Sequence, residues 1–230
     1  MGKGSQIIAI EGLDGSGKST QIGLLRDHLK TKGIETKFVH FPRVDEGVYG
    51  ALIAKFLRGE FGDARSVHPQ FVSLLFAGDR MDFAPTLREW LDEGYFILMD
   101  RYVLSNIAFQ CAKTEGVTAK RELRDWINMF EYGYNQIPKP DLSFYLDVPF
   151  SFVRRTLEER RTGDGRSYLH GMDDIHEKDT ALQSAVMEEY RGLLDIDKTI
   201  KRIACCDAMD DMRPKEEIHA EIVAHLGEAN

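Results

Sequence analysis

Apolar runs of strand length recur along the chain at Ile7 to Ile10, Thr36 to Phe41, Tyr95 to Met99, Leu142 to Leu146 and Thr199 to Cys205. Between them, apolar positions repeat at helical spacing, which predicts helices over about 18–32, 47–58, 68–93, 102–114, 119–133, 149–159, 173–196 and 214–227. Strands alternating with helices build a parallel sheet with helices on both faces, so the expected fold is α/β, three layers around five parallel strands. Pro69, Pro149 and Pro214 sit near helix starts, where a missing N–H costs nothing, and Gly33 and Gly94 sit where left-handed caps belong. The stretch Arg160-Arg161-Thr162-Gly163-Asp164-Gly165-Arg166 is charged, glycine-rich and aperiodic, which reads as a mobile surface loop. The expectation is a single domain over residues 1–230 with a lid over about 160–172.

Charge narrows the partners. A formal net charge of −8, from 30 Lys+Arg against 38 Asp+Glu, repels a polyanion, so a nucleic-acid partner is not expected and any nucleotide bound is small. The 3 cysteines lack metal-ligand spacing, and the adjacent Cys205 and Cys206 suggest buried side chains at a strand end in a reducing cytoplasm. The N-terminal stretch has no signal-peptide core, and no run nears the ~18 apolar residues of a membrane span. No membrane association is expected.

The chemistry begins at Gly12-Leu13-Asp14-Gly15-Ser16-Gly17-Lys18-Ser19, which fits G-x-x-x-x-G-K-[ST] between an apolar strand and an amphipathic helix. The glycines let backbone N–H groups converge on an anion at the helix N-terminus. Lys18 adds a point charge toward the β and γ phosphates, and Ser19 offers its hydroxyl to Mg²⁺. Residues Gly12 to Thr20 are thus the candidate ATP site, and the fold class sharpens to a P-loop NTPase. Asp100 ends the third apolar run, at the sheet edge where ligands collect, and is the second candidate metal residue with Ser19.

Three arginines raise the question of an acceptor. Arg43 ends the second strand, Arg80 lies late in Leu74-Leu75-Phe76-Ala77-Gly78-Asp79-Arg80, and Arg101 follows Asp100. Facing one crevice, they would make a second anion site beside the first. A kinase acting on a sugar hydroxyl benefits from a carboxylate base, but Phe38-Val39-His40-Phe41-Pro42-Arg43 offers an arginine and no acid. A phosphate acceptor is already ionised and needs cations and alignment. A kinase with another acceptor, such as dUMP or a deoxynucleoside, and a nucleotide sensor without catalysis remain alternatives.

Together, EGLDGSGKST, FPR at 41–43, LLFAGDR at 74–80, DRYVLSNIAFQ at 100–110, PDLSFYLDV at 140–148 and DIHEKD at 174–179 resemble the thymidylate kinases. The resemblance implies phosphorylation of dTMP to dTDP by ATP with Mg²⁺, in a cytoplasmic homodimer. It implies that Arg101 and Arg43 hold the acceptor phosphate, that Arg80 meets the thymine O4 edge, and that Phe76 stacks on the base. Phe41 and Pro42 would line the base pocket, with Asn106 and Gln110 among its ligands. Phe109 would leave no room for a ribose 2′-hydroxyl, and Asp14 would accept the 3′-hydroxyl. Lys18, Asp100 and Arg101 would serve catalysis. Gly15-Ser16 lacks the P-loop arginine of some members, so the lid arginines Arg160, Arg161 and Arg166 would supply that charge. Two features stand apart: His176 precedes Glu177 where many bacterial members carry Tyr, and Asp207 to Asp211 fall where the family forms its adenine loop.

Overall fold

The computed structural model describes residues 5–160, 167–169 and 174–228. Strands β1 (Gln6–Glu11), β2 (Thr36–His40), β3 (Phe96–Asp100), β4 (Leu142–Asp147) and β5 (Ile200–Ala204) form a parallel sheet in the order β2-β3-β1-β4-β5. β1 is central, with Ile8 opposite Leu98 on one side and Leu142 on the other. The three inner strands are buried along nearly their whole length, which explains their continuous apolar runs, whereas the edge strands β2 and β5 are only partly covered. This order gathers Glu11, Asp100 and Asp147 at one carboxyl edge, where open α/β sheets bind ligands.

Around the sheet lie α1 (Lys18–Thr31), α2 (Gly47–Leu57), α3 (Pro69–Asp92), α4 (Val103–Cys111), α5 (Val117–Asn128), α6 (Phe150–Arg160), α7 (Ile175–Lys178), α8 (Thr180–Leu194) and α9 (Lys215–Glu228). Pro69 opens α3, and Gly33 and Gly94 turn left-handed just beyond α1 and α3, at φ of 72° and 87°. The main core fills the sheet faces. A smaller cluster of Ile53, Phe56, Leu57 and Val72 joins α2 to α3 and carries Phe76 and Tyr168 at its margin.

Several expected boundaries shift, each for a local reason. The helix expected over 173–196 is two, because Asp179 leaves helical geometry and its carboxylate accepts the Leu182 N–H at 2.8 Å, capping α8. The one expected over 119–133 ends as α5 at Asn128 and passes into a π-helix, Met129–Tyr134, which fits an extra residue into its turn and goes with a fully buried Glu131. Cys205 is buried but Cys206 is partly exposed, since consecutive extended residues face opposite ways. His28 and His219, whose spacing along the chain suggests no pairing, meet edge to face with ring centres 5.8 Å apart, joining α1 to α9. Most of the expected lid, with Arg161, Arg166 and the side chain of Arg160, lies outside the described residues.

Candidate active site

Between β1 and α1 the chain turns through Gly12, Gly15 and Gly17 at φ of 146°, 80° and 91°. A Cβ on Gly15 would also come within 2.9 Å of the Thr156 side chain, so loop shape and neighbour both call for glycine. Gly17 sits at the α1 N-terminus, so unpaired amides and the helix dipole favour an anion there. Lys18 is buried, and its amine donates to the Leu13 carbonyl at 2.9 Å. Burial, then Arg101, lowers its pKa. Ser16 is buried, whereas Ser19 and Thr20 are exposed on the first turn of α1.

Arg101 follows Asp100 out of β3 with φ 66°, a left-handed conformation that costs a branched-off side chain about 1–3 kcal/mol and persists only where the surroundings enforce it. Its N–H donates to the Ile10 carbonyl at 3.0 Å. Its guanidinium donates to Asp14 at 2.9 Å and to Ser105 Oγ at 3.0 Å. Burial opposes the charge on Asp14, but Arg101 and Lys18 outweigh it and hold the carboxyl well below the ordinary range. Asp100 behaves alike: burial is outweighed by Lys18, His40 and Arg101, and its pKa falls. His40 Nδ1 lies 3.4 Å from Asp100 Oδ2, while Oδ1 is shielded from solvent without a hydrogen-bond partner. A hard, ionised oxygen so placed fits a Mg²⁺ ion or its bound water.

A pocket opens beside this cluster. Asp14, Phe41, Pro42, Phe76, Arg80, Arg101, Asn106, Phe109 and Gln110 all line it, so candidate residues up to 96 positions apart converge there. Arg43 is the exception. It is not a lining residue, because its guanidinium is engaged by Asp79 at 3.0 Å and Glu46 at 2.8 Å and lies over the Phe83 ring. Arg80 is 2% exposed and pairs with the wholly buried Glu131. The same Glu131 accepts the Asn106 amide at 3.1 Å, which orients Asn106 and leaves its Oδ1 as a shielded acceptor without a partner. Gln110 is fully buried, with neither amide atom bonded.

The surroundings of the pocket include a pairing with no sequence signal and residues marked only by the DIHEKD run at 174–179. Glu131 lies 51 residues from Arg80, and no motif links them. His176 is buried, stacked on Phe109 at 4.9 Å, and burial and then Lys113 push its pKa well below 6.5, so it is neutral. Asp174 accepts the His176 N–H at 2.8 Å and the Tyr168 hydroxyl at 3.1 Å. Its start-of-helix position was the available hint.

Asp174 also yields a stability test. Burial, then the charge of Asp14, raises its pKa to about 6. The folded state therefore retains a proton that the unfolded chain releases near pH 4, and stability falls as pH rises from about 4 to 6 and stays lower above. Asp174→Asn keeps a capping oxygen and removes the charge. It is expected to gain about 2–3 kcal/mol over the parent at pH 8, and about half that at pH 5. Melting curves at both pH values check this, and an equal difference at the two would sink it.

A glycine cradle at the carboxyl edge of a parallel sheet, with a cation-lined second pocket beside it, makes this a nucleotide-binding protein of the P-loop NTPase fold. The family profile "Thymidylate kinase" matches residues 10–222. The thymidylate kinase of Plasmodium falciparum is 30% identical over 224 residues, covering 97% of this chain and 90% of that protein. That of Mycobacterium tuberculosis is 33% identical over 189 residues, covering 81% and 85%. The solved thymidylate kinase of Candida albicans superposes with a TM-score of 0.70 at 26% identity, over 98% of this chain and 93% of that one. The chain belongs to the thymidylate kinase family.

Proposed function

We propose that this protein transfers the γ-phosphoryl group of ATP to the 5′ phosphate of dTMP, giving ADP and dTDP, as a Mg²⁺-dependent cytoplasmic enzyme and a homodimer. The observation that carries the acceptor assignment is the chemistry of one pocket lining: a buried guanidinium, Arg101, paired with Asp14 of the glycine loop, together with Arg80 and an unpartnered acceptor oxygen of Asn106, both held by Glu131. A pyrimidine monophosphate brings the matching groups, an anionic phosphate and a polar base edge. Asn106 Oδ1 suits the N3–H of thymine, and Arg80 suits its O4. Cytosine presents an acceptor at N3 and a donor at C4, so both contacts would oppose it. Phe76 and Phe109 both line the pocket, and in this reading Phe76 covers the base face while Phe109, backed by His176, crowds the sugar.

The residues favour a phosphate over a hydroxyl acceptor. Asp14 and Asp100, held below the usual carboxylate range, are poor general bases. An ionised phosphate oxygen needs no base, only charge neutralisation and alignment, which Arg101 and Lys18 supply. Arg43 joins them in this reading by giving up the exposed Glu46, an exchange of a weak surface pair for a phosphate. The glycine cradle, with Lys18, holds the ATP phosphates, and Arg160, Arg161 and Arg166 meet the charge that spreads over the transferring group. Ser19 and Asp100 would hold Mg²⁺, which would supply charge neutralisation for the phosphates during transfer.

ADP release from Mg-ATP, measured against dTMP, dUMP, UMP, dCMP, AMP and thymidine, tests the proposal. The expected result is a kcat/KM for dTMP exceeding that for dCMP by about a hundredfold or more, since each reversed hydrogen bond leaves a buried group unsatisfied. Turnover of thymidine in preference to dTMP would refute the acceptor, and tight nucleotide binding without turnover would indicate a sensor. No helix among the described residues is long and apolar enough to cross a membrane.

A further inference from the structure

Glu11 is wholly buried at the end of β1, one residue before the glycine cradle. Its Oε1 accepts the Tyr102 N–H at 2.8 Å. Its Oε2 accepts Ser105 Oγ at 2.5 Å and Tyr190 Oη at 2.9 Å, and the two hydroxyls lie 2.7 Å from each other. Ser105 Oγ is also the oxygen to which Arg101 donates at 3.0 Å. One carboxylate therefore controls Arg101 twice: through the backbone of the next residue, just past the left-handed turn at φ 66°, and through the hydroxyl that receives the guanidinium. Tyr190 enters from α8, 1% exposed, with its ring stacked on Tyr145 at 4.8 Å, so its hydroxyl has a set position. Glu11 and Tyr190 do not themselves line the pocket.

We propose that Glu11 and Tyr190 are positioning residues that act through Ser105 to set the Arg101 guanidinium where the acceptor's phosphate arrives. Because Glu11 adjoins Gly12, the donor cradle and the acceptor's cation share one anchor, which holds the two phosphate sites in register for in-line transfer. The inference rests on Arg101 being a ligand of the acceptor phosphate.

Tyr190→Phe removes one hydroxyl and keeps the stacked ring, and Glu11→Gln keeps the shape while disturbing the triangle of oxygens. Both are compared with the parent and with Arg101→Ala by calorimetric titration of dTMP and of thymidine, and by melting temperature. The expected result is a dTMP dissociation constant raised about 5- to 30-fold in both variants. Thymidine, which lacks the phosphate, should bind within about twofold of the parent, and Tyr190→Phe should melt within a few degrees of it. A merely structural role would weaken both ligands together, and that outcome, or unchanged dTMP affinity in Tyr190→Phe, overturns the proposal. Full dTMP affinity in Arg101→Ala would trace the failure to the phosphate assignment beneath it and overturn both.

Discussion

Arg101→Ala is expected to lower kcat/KM for dTMP by about a thousandfold or more, while the KM for ATP stays within about threefold. A charge-assisted hydrogen bond contributes roughly 1.5–3 kcal/mol, and a guanidinium offers a phosphate more than one. The substitution also leaves Asp14, now without its 2.9 Å partner, facing the incoming dianion. Loss of attraction and gain of repulsion act on the same ligand, and about 4 kcal/mol suffices for a thousandfold. Arg101→Lys should recover only part of the loss, since an ammonium cannot span Asp14, Ser105 and a phosphate from one planar fork. Steady-state kinetics with both substrates varied checks this. A fall of less than tenfold would mean that Arg101 only maintains the loop.

Glu131→Ala is expected to destabilise the protein by about 3–5 kcal/mol, because it strands the Arg80 cation in the interior. Arg80 is 2% exposed and Glu131 is wholly buried, so water cannot take over the lost contacts. Asn106 loses its 3.1 Å acceptor in the same step. For a chain of this length the melting temperature should fall by about 10 °C. Glu131→Gln, which keeps an acceptor but not the charge, should fall between. Thermal melts with and without dTMP check both variants, and a loss below about 1 kcal/mol would show that the pair is not closed to solvent. Bound dTMP should restore part of the stability only where Asn106 and Arg80 keep their orientation.

The two expected results differ in how far the residues could be read from the chain. Arg101 stands out because Asp100-Arg101 follows a continuous apolar strand, and strand ends face ligands in a parallel sheet. The phosphate cradle stands out more clearly still, since glycine spacing, flanking strand and following helix are all local. Glu131 has no such signal. Its burial goes with a π turn, and its partner is fixed only when α3 packs beside that turn. Arg43 lies between these cases: its strand-end position was legible, but its pairing with Asp79, 36 residues on, which keeps the guanidinium out of the pocket lining in this structure, was not.

Roles that depend on immediate neighbours were legible in the linear chain: the alternation of strands and helices, the glycine loop, the acid and arginine at a strand end, the proline and glycine helix boundaries. Backbone conformational preference and hydrophobic period act over a few residues and need no knowledge of the fold. Pairings between distant side chains were decided only by packing, among them Glu11 with Tyr190 across 179 positions, Arg80 with Glu131, and His176 on Phe109. A buried polar group must find its partner wherever the assembled core places one, and distance along the chain does not encode that place.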